Sequence, residues 1–133
     1  MGKLYFSMSE LIHSDTAILN NINNMPDINS LDNMLDLIYY VLNPIRERIK
    51  KPMIVTSGYR NKEVNRLVCG KPTSQHLKGQ AVDFIIKGMK PSEIVHFIRN
   101  TYIEYDQLIN EYDKWVHISY NKGNNRQQCF KEE

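Results

Sequence analysis

The chain has 133 residues, with 17 basic and 15 acidic side chains and a formal net charge of +2. The excess of positive charge is small and scattered along the chain, so it does not favour a nucleic acid or a membrane surface as a partner. The length fits one domain with a single core, and no apolar run approaches the ~18 residues of a membrane span. We therefore expect one domain over residues 1–133, present as a monomer.

The cysteines and the N-terminal segment bear on the compartment. Cys69 and Cys129 lie far apart in the sequence, which favours two free thiols in a reducing environment over a disulfide. Residues 1–7 contain no apolar core of signal-peptide length. We expect a protein of the producing cell's cytoplasm, unless it is released by a route that the sequence does not encode.

Helices are predicted in the first part of the chain. Ser7 and Glu10 have the spacing of a capping box, which predicts a short helix to about His13. Ser30 is predicted to cap a long helix with apolar residues on one face. Pro44 falls within that pattern and predicts a kink or an end there.

Strands dominate the prediction for the rest of the chain. Strands are predicted over 53–57, 81–86, 105–111 and 115–120, with helices over 61–68 and 91–101. The polar tail from about residue 121 is predicted to be frayed. This order indicates an α+β domain, with helices packed mainly on one face of an antiparallel sheet.

The stretch 73–84 places His76 and Asp83 where a polar loop becomes an apolar strand. A carboxylate within an apolar strand is costly to desolvate unless a cation or several donors meet it, and a metal ion would do so. Residues seven apart on one strand face opposite sides. The loop must therefore reverse the chain, and Gly79 is free to take the positive φ that this requires.

A third ligand is available near the end of the chain. Residues 115–120 alternate, so that Trp115, His117 and Ser119 share one face of a strand. Two histidines and one carboxylate, with a fourth position left to water, form the ligand set of a catalytic zinc site. The prediction is a Zn²⁺ ion held by His76, Asp83 and His117.

Three motifs resemble the zinc D,D-carboxypeptidase and endopeptidase family of peptidoglycan hydrolases. They are SGYR at 57–60, SQHLKGQAVD at 74–83, and Glu111 followed by Trp115-Val116-His117. The resemblance covers about residues 6–120 and is closest to the small cell-wall peptidases often found in phages. It implies a hedgehog/D,D-peptidase-like fold, zinc at His76, Asp83 and His117, and a peptidoglycan stem peptide as substrate.

The resemblance also implies an acidic general base beside the metal. In many relatives this residue precedes the last histidine by three positions, where the present chain has Lys114. The hedgehog-type members have a longer separation, which matches Glu111, six positions before His117. We therefore favour Glu111 as the base, with Asp113 as the alternative.

Arg60, Ser74 and Gln75 are candidates for binding substrate. In the family the arginine of the SGYR stretch lies near the substrate, and a planar guanidinium fork suits a carboxylate. A structural ion pair before the following helix is the alternative for Arg60. Ser74 and Gln75 are expected to orient either the substrate backbone or the loop.

Taken together, the residues and the resemblance predict a zinc-dependent peptidase that uses metal-activated water and Glu111 as general base. The bond that is cut stays open among D-Ala–D-Ala, L-Ala–D-Glu and a cross-bridge. A phage-lysin-like enzyme that acts on the wall after release and a cytoplasmic recycling enzyme both fit. The alternative function is a catalytically silent zinc-containing binding domain, or a virion structural domain of the same fold.

Overall fold

The structure, a computed structural model, describes residues 5–133. The first four residues of the predicted domain, and of the segment inspected for a signal sequence, lie outside this range. The helices are α1 (Met8–Ile12), α2 (Asp15–Leu19), α3 (Ile28–Leu37), a π-helix (Ile38–Leu42), α4 (Asn43–Ile49), α5 (Lys62–Leu67), a 3₁₀-helix (Gln75–Lys78) and α6 (Pro91–Arg99). The strands are β1 (Ile54–Ser57), β2 (Ala81–Ile85), β3 (Gln107–Glu111), β4 (Trp115–Ser119) and β5 (Gln128–Glu132). Within the described part of the chain, no helix is long and apolar enough to cross a membrane.

The five strands form one sheet in the order β1-β2-β4-β3-β5. The first three pairings are antiparallel, as predicted, but β5 pairs with β3 in parallel. The α+β class predicted from the order of elements is confirmed.

The prediction of a frayed tail is wrong, because residues 128–132 form the edge strand β5. Most of the side chains of β5 are exposed, so the strand needs no regular apolar alternation. Its order comes from the backbone pairing with β3, a partner about twenty residues away, which a local pattern does not reveal.

The long helical segment begins earlier than predicted. The side chain of Asp27, rather than that of Ser30, caps α3 by accepting a hydrogen bond of 2.7 Å from the backbone N–H of Ser30. The segment also does not end at Pro44. A π-helical turn follows α3, and Pro44 lies in the first turn of α4, where a residue without an N–H is tolerated.

The sheet has one face in the core and one face that carries the polar site. Core positions alternate along the strands and meet the apolar faces of the helices. The fully buried members include Leu37, Val41, Leu42 and Ile45 from the helical segment, and Val82, Phe84, Leu108, Val116 and Ile118 from the sheet. Asp83, between Val82 and Phe84, and His117, between Val116 and Ile118, therefore lie on the opposite face of the sheet.

Candidate metal centre

Strands β2 and β4 bring Asp83 and His117 together. The two residues are directly opposite each other in the antiparallel register, so their side chains leave the same face of the sheet. The Nδ1 atom of His117 lies 3.0 Å from the Oδ1 atom of Asp83. This pair joins residues 34 positions apart in the sequence.

The 3₁₀-helix between α5 and β2 supplies His76. Ser74 caps it by accepting a hydrogen bond of 3.2 Å from the N–H of His76. Gly79 ends it with φ +71°, and this gives the chain reversal predicted at that residue. A Cβ at Gly79 would also collide with the carbonyl oxygen of Ser30. The turn thereby returns the chain to the sheet with His76 facing Asp83.

The protonation of His76 follows from its contact with Gly58. The Nδ1 atom of His76 lies 2.7 Å from the carbonyl oxygen of Gly58, and because a carbonyl only accepts, Nδ1 carries the proton. In the neutral ring the Nε2 atom is then an acceptor, and it lies 3.3 Å from the Oδ1 atom of Asp83. Two acceptors at this distance require a cation between them, either a proton or a metal ion.

The donor geometry fits a tetrahedral metal ion. One ligand atom from each of His76, Asp83 and His117 lies within 4.8 Å of the other two. Bonds of about 2.0–2.1 Å in a tetrahedral site place neighbouring ligand atoms about 3.3 Å apart. The separations of 3.0 and 3.3 Å from Asp83 to the two rings are close to this value. The side chain of His76 is 3% exposed, that of Asp83 15% and that of His117 12%. Because the surrounding residues hold these side chains in place, they would need to move little to bind a metal ion.

The carboxyl group of Asp83 is held in its charged form. Burial raises its pKa, but His76 and His117, when their rings are protonated, attract the carboxylate and donate hydrogen bonds to it, and this outweighs burial and holds the pKa well below its usual range. An ionised carboxylate between two ring nitrogens is an anionic, nitrogen-rich set of donors, which is what a divalent zinc ion prefers.

The cluster opens into a cavity of about 750 Å³. Glu111, Trp115 and Phe130 are among the residues that line it, as are Arg60 and Gln75. Ser74 lines it as well. The cavity therefore brings together the His76, Asp83 and His117 cluster, called here the metal-type cluster, and all four of the other predicted site residues.

A scan of protein-family models matches residues 4–119 to Peptidase M15. The chain belongs to the Peptidase M15 family. Membership of this family supports the assignment of the chain as a metallopeptidase, and M15 peptidases are zinc-dependent. No curated protein sequence matches the chain. The resemblance stated from the three motifs is thus confirmed at the level of the family.

In this M15 chain Glu111 lies on the site face of β3. Tyr112 and Asp113 both have positive φ, as in the tight turns that favour hairpins, so Glu111 lies opposite Trp115 on the strand that also carries His117. Burial raises the pKa of the Glu111 carboxyl, and the negative charges of Asp83 and Glu132 act in the same direction, while His117 lowers it.

The alternative base, Asp113, lies on the turn and is engaged elsewhere. Its carboxylate accepts a hydrogen bond of 3.0 Å from the Asn110 side chain and forms an ion pair of 3.0 Å with Lys131. Asp113 is not among the described residues that line the cavity, whereas Glu111 is.

Arg60 approaches the same cavity from the loop after β1. Its terminal nitrogen lies 3.5 Å from the hydroxyl of Ser74, and its Nε atom is buried without a hydrogen-bond partner. Burial lowers the pKa of Arg60, while the charge of Asp83 raises it. Among residues 5–133 Arg60 forms no salt bridge, so the structural ion pair considered as an alternative is not present there.

Strand β5 and the segment before it bring to the site residues that were not predicted from the sequence. Phe130 and Glu132 line the cavity from β5, and Arg126 lines it from the preceding segment. Asp106, which is buried beside Arg126 and Gln75, was also missed. The local sequence around Asp106 shows only an acidic residue beside an apolar strand, since its partners Arg126 and Gln75 lie 20 and 31 positions away.

Proposed function

We propose that this protein is a zinc-dependent peptidase that hydrolyses peptide bonds of peptidoglycan stem peptides, as a D,D-carboxypeptidase or an endopeptidase. The observation that carries the proposal is the convergence of His76 Nε2, Asp83 Oδ1 and His117 Nδ1 at a cavity that Glu111 also lines, in a chain of the M15 family. Membership of the family supports the assignment as a zinc peptidase. The choice of a stem peptide as substrate rests on the resemblance of the three motifs.

In this proposal His76, Asp83 and His117 hold the zinc ion. When bound, zinc supplies Lewis-acid chemistry: it polarises a carbonyl group and lowers the pKa of a water molecule from ~15.7 to ~7. The hydrogen bond from His76 Nδ1 to Gly58 keeps the ring in the tautomer whose Nε2 atom is free to bind. The ionised Asp83 carboxylate reduces the net charge of the site.

Glu111 moves the proton. As general base, its carboxylate takes a proton from the attacking water, and the resulting carboxylic acid donates this proton to the leaving amine. A pKa raised by burial and by neighbouring carboxylates makes Glu111 a stronger base than an exposed glutamate. Its position on the same face of the sheet as His117, lining the same cavity, supports this role.

Arg60 binds the substrate. Its guanidinium lines the cavity, forms no salt bridge among the described residues and has a buried Nε atom without a partner. A carboxylate of a stem peptide would accept hydrogen bonds from this group and would compensate for its burial. Ser74, within 3.5 Å of Arg60, orients the guanidinium.

The test is digestion of muropeptides with the zinc-loaded protein, followed by mass spectrometry, which identifies the bond from the masses of the products. Glu111→Gln should retain zinc and lose about 10²–10⁴-fold in rate, the usual contribution of a general base. His117→Ala should lose both zinc and activity.

Two outcomes would change the assignment. Loss of activity in Asp113→Asn, together with retained activity in Glu111→Gln, would move the role of base to Asp113. A zinc-loaded protein that binds muropeptides but converts none of them would overturn the hydrolase and favour the silent binding domain.

A further inference from the structure

Asp106 is a buried carboxylate with four hydrogen-bond donors around it. Its side chain is 3% exposed. Arg126 donates to it from the backbone N–H at 2.8 Å, from Nε at 2.9 Å and from a terminal nitrogen at 2.9 Å. The fourth donor is Nε2 of Gln75 at 2.9 Å. Asp106 therefore joins the segment before β5 to the residue next to His76.

The carboxylate determines which way the amide of Gln75 faces. An ionised carboxylate only accepts hydrogen bonds, so the NH₂ group of Gln75, and not its oxygen, must point to Asp106. The same nitrogen lies 3.3 Å from the side-chain oxygen of Gln80, so both amide protons have acceptors. The other polar atom of the amide, the acceptor Oε1, is buried and has no hydrogen-bond partner.

A buried acceptor without a partner is unfavourable, and Gln75 lines the cavity beside the metal-type cluster. A ligand that brings a hydrogen-bond donor to this atom would remove the penalty. The donor that every peptide carries is the backbone N–H. The arrangement therefore fits a ligand that carries a hydrogen-bond donor, and the backbone of any peptide supplies one.

We propose that Asp106 and Arg126 are positioning residues that hold the Gln75 amide so that its Oε1 atom accepts a hydrogen bond from a backbone N–H of the bound peptide. The inference rests on the proposed function for the nature of the substrate. Arg126 lies outside residues 4–119, the part matched to the M15 family, so one of the two positioning residues comes from beyond the matched region.

Arg126 has two effects in this arrangement. Its guanidinium holds both oxygens of Asp106 in a bidentate contact, which fixes the plane of the carboxylate. These hydrogen bonds also hold the pKa of Asp106 below its usual range, against the effect of burial. A protonated or amidated Asp106 could donate to Gln75, and the Gln75 amide would then be free to turn over.

The test compares the wild type with Gln75→Met, Asp106→Asn and the double variant, using the muropeptide that the wild type cleaves fastest. Each single change should raise KM about fivefold, the worth of one neutral hydrogen bond. The value of kcat and the zinc content should stay at the wild-type level. Because Asp106 acts through Gln75, the double variant should be no worse than Gln75→Met alone.

Gln107→Met is the matched control. Gln107 also lines the cavity, but its amide donates to the side chain of Gln128 at 3.0 Å and not to a buried carboxylate. Its KM should be unchanged. Substrates that are N-methylated at one amide at a time give a second readout, since one of them should bind less well to the wild type but not to Gln75→Met.

Unchanged KM in Gln75→Met, or effects of Gln75→Met and Asp106→Asn that simply add, would overturn the inference. If Asp106→Asn does not fold, the result for Gln75→Met still tests the inference, because Gln75 is partly exposed at the start of the 3₁₀-helix. If the wild type converts no muropeptide, the proposed function has failed, and calorimetry with a synthetic stem pentapeptide is used instead. Weaker binding by Gln75→Met than by wild type would then support the inference, and equal or absent binding would overturn it.

Discussion

Glu111 and Glu132 occupy paired positions on the parallel strands β3 and β5, and both line the cavity beside the His76, Asp83 and His117 cluster. Burial is the main cause of the raised pKa of Glu111, and the charge of Glu132 adds to it. The edge strand that the sequence analysis missed thus contributes to the electrostatics of the residue proposed as general base.

Glu132→Gln should shift the acid limb of the pH profile of kcat/KM to lower pH. Removal of the neighbouring charge lowers the pKa of Glu111, and a base with a lower pKa stays deprotonated, and therefore active, in more acidic solution. The measurement is kcat/KM against pH for wild type and variant. Glu133→Gln, which removes an exposed carboxylate one residue further on, is the control and should leave the limb in place.

Gly58→Ala should weaken zinc binding by about 10–100-fold, the usual effect of disturbing the hydrogen-bond partner of a metal-binding histidine. An added Cβ would collide with the backbone of Leu11 and move the carbonyl group that holds His76. Gly88→Ala is the control: it has positive φ but open space, so it should cost about 1–2 kcal/mol of stability without changing zinc affinity. Equal zinc affinities in the two variants would contradict the role of Gly58.

Zinc should stabilise the folded protein, because the three ligands are assembled only in the native state. At a free zinc concentration about 100 times the dissociation constant, the gain is about 2.7 kcal/mol. Thermal unfolding with and without a chelator measures it. His117→Ala should abolish the difference, whereas His13→Ala, at an exposed pair with Asp15, should retain it.

The stability of the protein should fall in acid partly through Asp106. Hydrogen bonds from Arg126 lower the pKa of this carboxyl in the folded state, against burial. Because the folded-state pKa lies below the unfolded value of about 3.9, the contribution is present above that pH and is lost as the pH falls through the folded-state pKa. Urea unfolding against pH should therefore show a shallower acid dependence for Asp106→Asn than for wild type.

Elements with a local signal could be predicted from the sequence. The capping box of Ser7 and Glu10 is present, and the Asn61 side chain caps α5 through the N–H of Val64. The alternation around His117 gave the correct face of β4, because a buried strand must place every second side chain in the core. Asp27 and Ser30 are both good capping residues three positions apart, and the structure was needed to choose between them.

The residues that were missed depend on contacts between distant parts of the chain. Asp106 can be buried as a charge only because Arg126 and Gln75 meet it, 20 and 31 positions away. β5 is ordered by backbone hydrogen bonds to β3 and has little apolar pattern of its own. Neither feature leaves a signal within a window of ten residues, whereas the three site motifs do.

The contact between Leu11 and the loop after β1 ties the N-terminal helix to the metal-type cluster. The carbonyl of Leu11 accepts a hydrogen bond of 2.7 Å from Tyr59, and the preceding residue, Gly58, holds the ring of His76. Thermodynamic reciprocity then requires that a metal bound at His76 protects α1 from opening by the same factor by which a docked α1 tightens the metal. Amide hydrogen exchange in α1 should therefore be slower in the metal-bound protein than in the metal-free protein, although α1 contributes no ligand to the site.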